Sequence, residues 1–262
     1  MSGSRGPGFL VRIRGVVARP LVLAAWSGSV VASWVYRGLG DRGGLARVSP
    51  LLVEARGGRW RPLISGLEGE APLVVEEGRR VLVEAVLDGL AEPDTVLSVA
   101  RSLEEWGIRP VEMSVEQVRI GRVSAPGHPA GDSVLVEAVY GPTIHVFRGR
   151  RVLYPSPARL LFSAARSLGE WLGRDLQGLA RGLLERFELS GHRTRTVRLN
   201  IGRGRVVKAF HGEALFIASA DALGDILVLL EAARIYGVGK SRSIGFGRFE
   251  YKLLEAEDNA GL

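Results

Sequence analysis

The chain contains no cysteine. That one absence removes disulfides, thiolate metal sites, iron–sulfur clusters and a thiol nucleophile together. Histidine is scarce at four residues, which argues against a His-rich metal site, and methionine is scarcer still at two. Lysine occurs only at Lys208, Lys240 and Lys252, so the basic character is almost entirely arginine. No uncharged stretch reaches the roughly 20 apolar residues of a membrane span. The longest, Pro20 to Tyr36, is broken by Ser27, Gly28, Ser29 and Ser33 and reads as a loop and a buried helix. Arg12 and Arg14 interrupt any signal-peptide core at the start. The expectation is a soluble cytoplasmic protein with no membrane partner.

What is present is ample core material. Of 262 residues, 46% are hydrophobic and 24% charged, enough for one large domain or two small ones. The formal charge is +7, which suits a polyanionic partner without identifying it. Ser124 to Asp132 holds two prolines and two glycines and reads as a linker. It separates an N-terminal unit, residues 1–125, from a C-terminal one, residues 132–262. The excess charge is uneven: residues 1–130 carry +2 and residues 131–262 carry +5.

In the first half, Val11, Ile13 and Val17 alternate with Arg12 and Arg14, a strand pattern with one wet face. Ser27-Gly-Ser leads into a helix over Val30–Leu39. Strands follow near Leu51–Ala55, Trp60–Ile64, Leu73–Glu76 and Val81–Leu87. Pro93-Asp-Thr begins a helix through Trp106 with Val96, Ala100 and Leu103 on one stripe, and Val111–Val123 closes the half as a strand. The second half repeats this order. Val134–Val146 is strand-like. Ser156-Pro157 marks a helix start, with Leu161, Ala165, Leu168 and Leu172 as its apolar stripe. Leu176–Phe187 reads as a second helical stretch. Thr194–Ile201 and Val206–Ala218 pair about Gly202-Arg-Gly204. Asp221 is placed as the cap of a helix through Tyr236 that buries Leu223, Leu227, Leu230 and Ala233, and Arg248–Leu253 ends the unit. Two β-α-β-β-α-β units in tandem make an α+β protein of two ferredoxin-like domains. That fold hosts many functions, RNA binding among them. Trp26, Trp34, Trp106 and Trp171 are assigned to the core.

One motif carries chemistry. Gly237-Val-Gly-Lys-Ser-Arg-Ser-Ile-Gly-Phe-Gly247 has the spacing G-x-G-x5-G-x-G, between the last helix and the last strand. It is not a nucleotide-binding P-loop: the required first glycine is Arg234, and a P-loop opens a helix instead of a strand. The glycines Gly237, Gly239, Gly245 and Gly247 are expected to leave backbone N–H groups open to an incoming chain. Lys240, Ser241, Arg242 and Ser243 add charge and hydroxyls suited to phosphate. On this reading, Gly245→Asp removes RNA binding and leaves the fold intact. A second basic feature is the hairpin carrying Arg193, Arg195, Arg198, Arg203, Arg205 and Lys208, with no acidic residue between Arg193 and Lys208. Arg148, Arg150 and Arg151 form a smaller cluster.

The glycine motif resembles the C-terminal signature of the CRISPR RAMP superfamily. With Leu-Glu-Ala-Ala-Arg-Ile-Tyr before it and Arg-Phe-Glu-Tyr after it, it is most similar to the CRISPR-RNA-processing endoribonucleases, family six in the Cas nomenclature. Tyr154-Pro-Ser-Pro-Ala-Arg and Lys208-Ala-Phe-His-Gly-Glu support the resemblance through most of the second half. The lack of a compact Asp/Glu cluster gives the expectation of no cofactor and no metal, and the resemblance implies tandem ferredoxin-like domains and a CRISPR repeat RNA substrate. It also implies cleavage by the RNA's own 2′-OH, which gives a 2′,3′-cyclic phosphate and a 5′-OH. Members of that family commonly use a Tyr, a His and a Lys, with the His on the first helix. Here the first histidine is His128 and the first half has no lysine. The candidates on the first helix and its exit are Tyr36, Arg37, Arg42 and Arg47, Tyr36 being a base, an orienting group or a core side chain. His145 and His211 are read as structural, and His192 as a phosphate contact at most. Three functions stay open: a repeat-RNA endoribonuclease, a silent RAMP subunit holding RNA in a CRISPR effector complex, and an unrelated RNA-binding protein of this fold. A homodimer is a further open partner.

Overall fold

The computed structural model describes residues 8–40, 44–88, 93–120 and 132–254. The first half runs β1 (Phe9–Val17), β2 (Leu21–Leu23), α1 (Ser27–Leu39), β3 (Gly44–Val48), β4 (Leu52–Glu54), β5 (Trp60–Pro62), β6 (Leu73–Val75), β7 (Arg80–Asp88), α2 (Pro93–Glu105) and β8 (Ile108–Gln117). Its main sheet has the order β5-β4-β7-β1-β8, with β3 also on β7. The second half runs β9 (Ser133–Thr143), β10 (His145–Phe147), β11 (Arg150–Val152), α3 (Pro157–Leu172), α4 (Gln177–Gly182), β12 (Phe187–Asn200), β13 (Val206–Ser219), α5 (Leu223–Tyr236) and β14 (Phe249–Leu254). Its sheet has the order β12-β13-β9-β14. In each sheet the first strand lies between the third and fourth of its unit, antiparallel to both, which is the ferredoxin-like arrangement twice over. β2 and β6 pair as a small separate sheet. Most of the proposed linker, residues 124–131, lies outside the described residues, as do 121–123 of the strand expected over Val111–Val123.

Hydrophobic periodicity accounts for most of these elements. Val11, Ile13 and Val17 are buried. Unbroken alternation in β1 puts Val17 on the same face; the irregularity beside it lies in β8, where Val111 is the extra residue between the partners of Arg14 and Gly15, and a Cβ at Gly15 would stand 2.8 Å from the Arg109 carbonyl. α3 starts as expected: the Ser156 hydroxyl accepts from the Arg159 N–H at 3.4 Å, with Pro157 in the first turn. Leu161, Ala165 and Leu168 are buried, but Leu172 is 41% exposed because the helix ends one residue later, at left-handed Gly173. α5 buries Leu223, Leu227, Leu230 and Ala233. Asp221 does not cap it; its carboxylate is paired with Arg186 instead. The stretch Leu176–Phe187 is only partly helical, and buried Phe187 already begins β12. Trp26 and Trp34 are core, whereas Trp106 stacks on Trp34 with half its surface in solvent. Among the described residues no helix is long and apolar enough to cross a membrane.

The halves are joined by polar contacts that the sequence does not announce. Residues 66–68 run along the outer edge of β12: the Asn200 N–H donates to the Gly66 carbonyl at 2.8 Å and the Glu68 N–H to the Arg198 carbonyl at 2.9 Å. The Trp26 indole N–H donates to the Ile244 carbonyl at 3.0 Å. Glu84 on β7 receives Arg248 at 2.7 Å and Arg12 at 3.2 Å, with Arg47 at 4.0 Å. Arg47 also donates to the carbonyls of Arg234 and Ile235, at 2.5 and 2.6 Å, and so closes the last turn of α5.

Candidate nucleic-acid interface

The glycine motif links α5 to β14, and all four glycines have positive φ, from 72° to 82°. Their reason is close backbone approach. A Cβ at Gly245 would lie 2.5 Å from the Gly28 Cα at the start of α1, and one at Gly237 2.9 Å from the Gly247 carbonyl. Side chains at Gly239 and Gly247 would strike the carbonyls of Ile144 and Val238. The expected row of open N–H groups is not there. Val238 donates to Gly247, Lys240 to Ile144 and Gly247 to Pro142, all within 2.9 Å; the Gly239 N–H goes to the Ser163 hydroxyl at 2.8 Å. Gly245 and Phe246 donate back to Arg242 and Ser241. The loop is a self-satisfied wedge between α1 and the β9–β10 junction. Gly245→Asp therefore acts on the fold first, contrary to the reading from sequence. Positive-φ strain of about 1–3 kcal/mol plus the clash with Gly28 should lower the melting temperature by roughly 5–10 °C, measurable by calorimetry.

The face for a ligand is built from side chains. A cleft of about 370 Å³ lies between loop residues 239–243, α3 (Arg166, Glu170, Trp171) and β3 (Leu45, Ala46). Lys240 and Ser241 are exposed, and the Arg242 guanidinium is anchored on the Ser167 hydroxyl. Three cations, one carboxylate and two loop hydroxyls around an open cleft suit a phosphodiester. Arg166 and Glu170 were not among the residues singled out from sequence, and Trp171, assigned there to the core, is only partly buried and lines the cleft. Their signal is weak: an Arg–Glu pair four apart on a helix is the commonest of exposed faces.

The six hairpin cations are all exposed but do not form one surface. The β12–β13 register pairs Arg193 with Glu213 and Arg195 with His211, and Arg198 with Lys208. Alternation places the last pair on the opposite face from the first two. Arg198 is also neutralised by Glu68 from the first half, so the acidic partner absent from the hairpin's own sequence comes from elsewhere. Arg203 and Arg205 sit at and beside the turn, Arg203 with a left-handed φ of 53°. Burial, and secondarily the Arg195 charge, holds the His211 imidazole below its ordinary pKa. His192 contacts the Thr194 hydroxyl at 2.9 Å.

The first-half candidates do not converge. Tyr36 is 44% exposed on the last turn of α1. Arg37 turns toward α2 and pairs with Glu105 at 3.5 Å. Arg42 lies outside the described residues. Arg47 is 4% exposed and committed to Glu84 and the end of α5, so it cannot reach a phosphate without dismantling the interface. Burial brings its pKa down to about 10, against the opposing pull of Glu84, so it stays charged at neutral pH. His145 is 1% exposed, and burial, with the Arg159 charge, pushes its pKa down to about 3. It is a neutral core residue among Tyr140 and Phe210. Among the described residues no three His, Asp or Glu side chains stand together as a metal site.

Similarity to a known family lies in this loop and the elements flanking it. Residues 138–249 match the family model of the CRISPR-associated endoribonuclease Cas6. The match runs from within β9 to the first residue of β14 and takes in the whole glycine motif. The resemblance read from sequence is thus borne out over that segment. The chain superposes on Thermus thermophilus Cas6 with a TM-score of 0.56 at 16% identity, covering 95% of this chain and 100% of that one. It superposes on a Cas6 product complex with a TM-score of 0.53 at 16% identity, covering 93% and 99%. With a chain of a partial Cas6-RT-Cas1–Cas2 complex the TM-score is 0.64 at 11% identity, covering 97% of this chain and 47% of that one. At such identities these likenesses establish the shared tandem fold. No curated protein sequence matches the chain.

Proposed function

We propose that this chain is a metal-independent endoribonuclease of Cas6 type that cuts CRISPR precursor RNA within its repeats, in the cytoplasm, as part of antiviral defence. The observation that carries the reading is the cation-lined cleft beside the Cas6-matched glycine loop. Residues 1–125 and 132–262 act as its two domains. Lys240, Arg242 and Arg166 hold the phosphate at the cleft, and Arg193, Arg195, Arg203, Arg205 and Lys208 meet the RNA further out. The glycines shape the loop that carries Lys240. In the reaction the 2′-OH loses its proton to a base, the O2′–P bond forms, the P–O5′ bond breaks, and O5′ takes up a proton. Cations at the cleft stabilise the added negative charge of the transition state. Tyr36 and Arg42 are the remaining first-half candidates for the chemistry; Arg47 serves by fixing β3 to α5.

A second reading has its own observation. The described cleft residues include no histidine, and arginine, with a pKa above 12, is a poor base. A silent subunit that holds CRISPR RNA in an effector complex would need only the binding face. Incubation of end-labelled repeat RNA with the protein in EDTA separates the two. A discrete product ending in a 2′,3′-cyclic phosphate is expected. Tight binding with no product under any condition gives the silent subunit.

A further inference from the structure

The β10–β11 hairpin pairs antiparallel, with Phe147 opposite Arg150. Its turn is Arg148-Gly149, both at positive φ, 48° and 78°, which is a tight two-residue turn of the hairpin-favoured hand. Such a turn projects its flanking side chains without spending them on packing. Phe147 is 48% exposed, and so is Tyr154 just past the hairpin. The Arg159 guanidinium lies 4.7 Å from the Phe147 ring centroid and that of Arg148 lies 5.3 Å away. Arg150 and Arg151 are exposed. Two half-exposed rings interleaved with four guanidiniums, none in an ion pair among the described residues, are a costly surface for water alone. They have the composition of a single-strand RNA platform, on which bases stack and cations follow the phosphates.

Position adds a second argument. The Ile144 carbonyl, immediately before β10, accepts the Lys240 N–H at 2.9 Å, so the hairpin springs from the glycine loop itself. Phe147 is three residues further along an extended strand, about 10 Å. That is the reach of one or two nucleotides.

We infer that Phe147 is a stacking platform for one unpaired base of the RNA, next to the phosphate held at the cleft. Arg148 and Arg159 fix the ring, and Arg150 and Arg151 take the flanking phosphates. The inference rests on the RNA-processing reading and adds to it a positioning residue and the place where a single strand runs. Because every base has a flat face, the platform tolerates sequence; it sets register, not identity.

The test uses the full chain and repeat RNA carrying a single 2-aminopurine at successive unpaired positions. One position should show quenching on binding, relieved in Phe147→Leu, which keeps apolar bulk but has no flat ring. Phe147→Leu should weaken binding about tenfold while leaving the salt dependence of affinity unchanged, and Phe147→Trp should restore it. Arg150→Ala with Arg151→Ala should instead flatten the slope of log K against log salt by about 0.7 per lost phosphate contact. Wild-type affinity and unchanged quenching in Phe147→Leu overturn the inference while the RNA-processing reading stands. No binding of repeat RNA by the wild-type chain overturns both.

Discussion

Replacing the 2′-hydroxyl next to the cut by hydrogen is expected to abolish cleavage and leave RNA binding within about twofold. The reason is stoichiometric: in the proposed reaction that oxygen is the nucleophile, and no water or side chain takes its place. The phosphates remain, and they supply most of the affinity. The same substrate separates protein roles. Tyr36→Phe should slow cleavage of normal RNA, by about 100-fold if the phenol handles the proton, with little change in affinity. Lys240→Ala should weaken binding first. Cleavage of the deoxy substrate at the normal position would require another nucleophile and would end the 2′-OH mechanism. Binding and rates can both be read from one set of gels.

Glu84→Gln should destabilise the whole chain by about 3–5 kcal/mol, because it leaves Arg47, Arg248 and Arg12 facing one another without their shared anion. Arg47 cannot relax into water, since its guanidinium is enclosed against the end of α5. The pH dependence follows from the same group. Burial alone would raise the Glu84 pKa, but Arg248, then Arg47 and Arg12, hold it below the usual carboxylate value of 4.5. A carboxyl depressed on folding contributes stability that is present above its unfolded pKa and is lost as pH falls through the folded value. The wild-type melting temperature should therefore drop below about pH 4.5, and that part of the drop should vanish in Glu84→Gln. A variant as stable as wild type at pH 7 would mean that the Glu84 ion pairs add nothing to the apolar contacts and backbone hydrogen bonds that also join the two halves.

Much of this architecture is legible in the residues themselves. Alternation in β1 and the stripes of α2, α3 and α5 need only local periodicity, and the repeated element order then gives the tandem fold. β2, β3 and β11 escape, since three to five residues carry little pattern; β4, β5 and β6 are as short or shorter and are nonetheless found. Leu172 and Asp221 mislead for a related reason: a stripe or a cap residue states a preference, and the neighbouring turn decides whether it is used. The glycine motif is found in the right place for a different purpose, because spacing does not say whether a glycine yields to a ligand or to its own backbone. Arg47 is the least legible of the candidates. An arginine beside a presumed catalytic helix reads as exposed chemistry, and only the folded chain reveals that Glu84 of its own half and two carbonyls of the other enclose it. The cleft wall from α3 is hidden likewise, since it joins positions more than seventy residues apart.

The seam of residues 66–68 along β12 bears on self-association. A fourteen-residue strand at the rim of a sheet is a standing invitation to another chain's strand. Here part of that rim is already occupied from within by Gly66–Glu68, and Arg193 and Arg195 stand along the remainder. Like charges on an approaching copy would repel there, while a polyanion would be drawn in. Arg193 and Arg195 would thus draw in a polyanion along the same stretch of rim where they would repel a second β12.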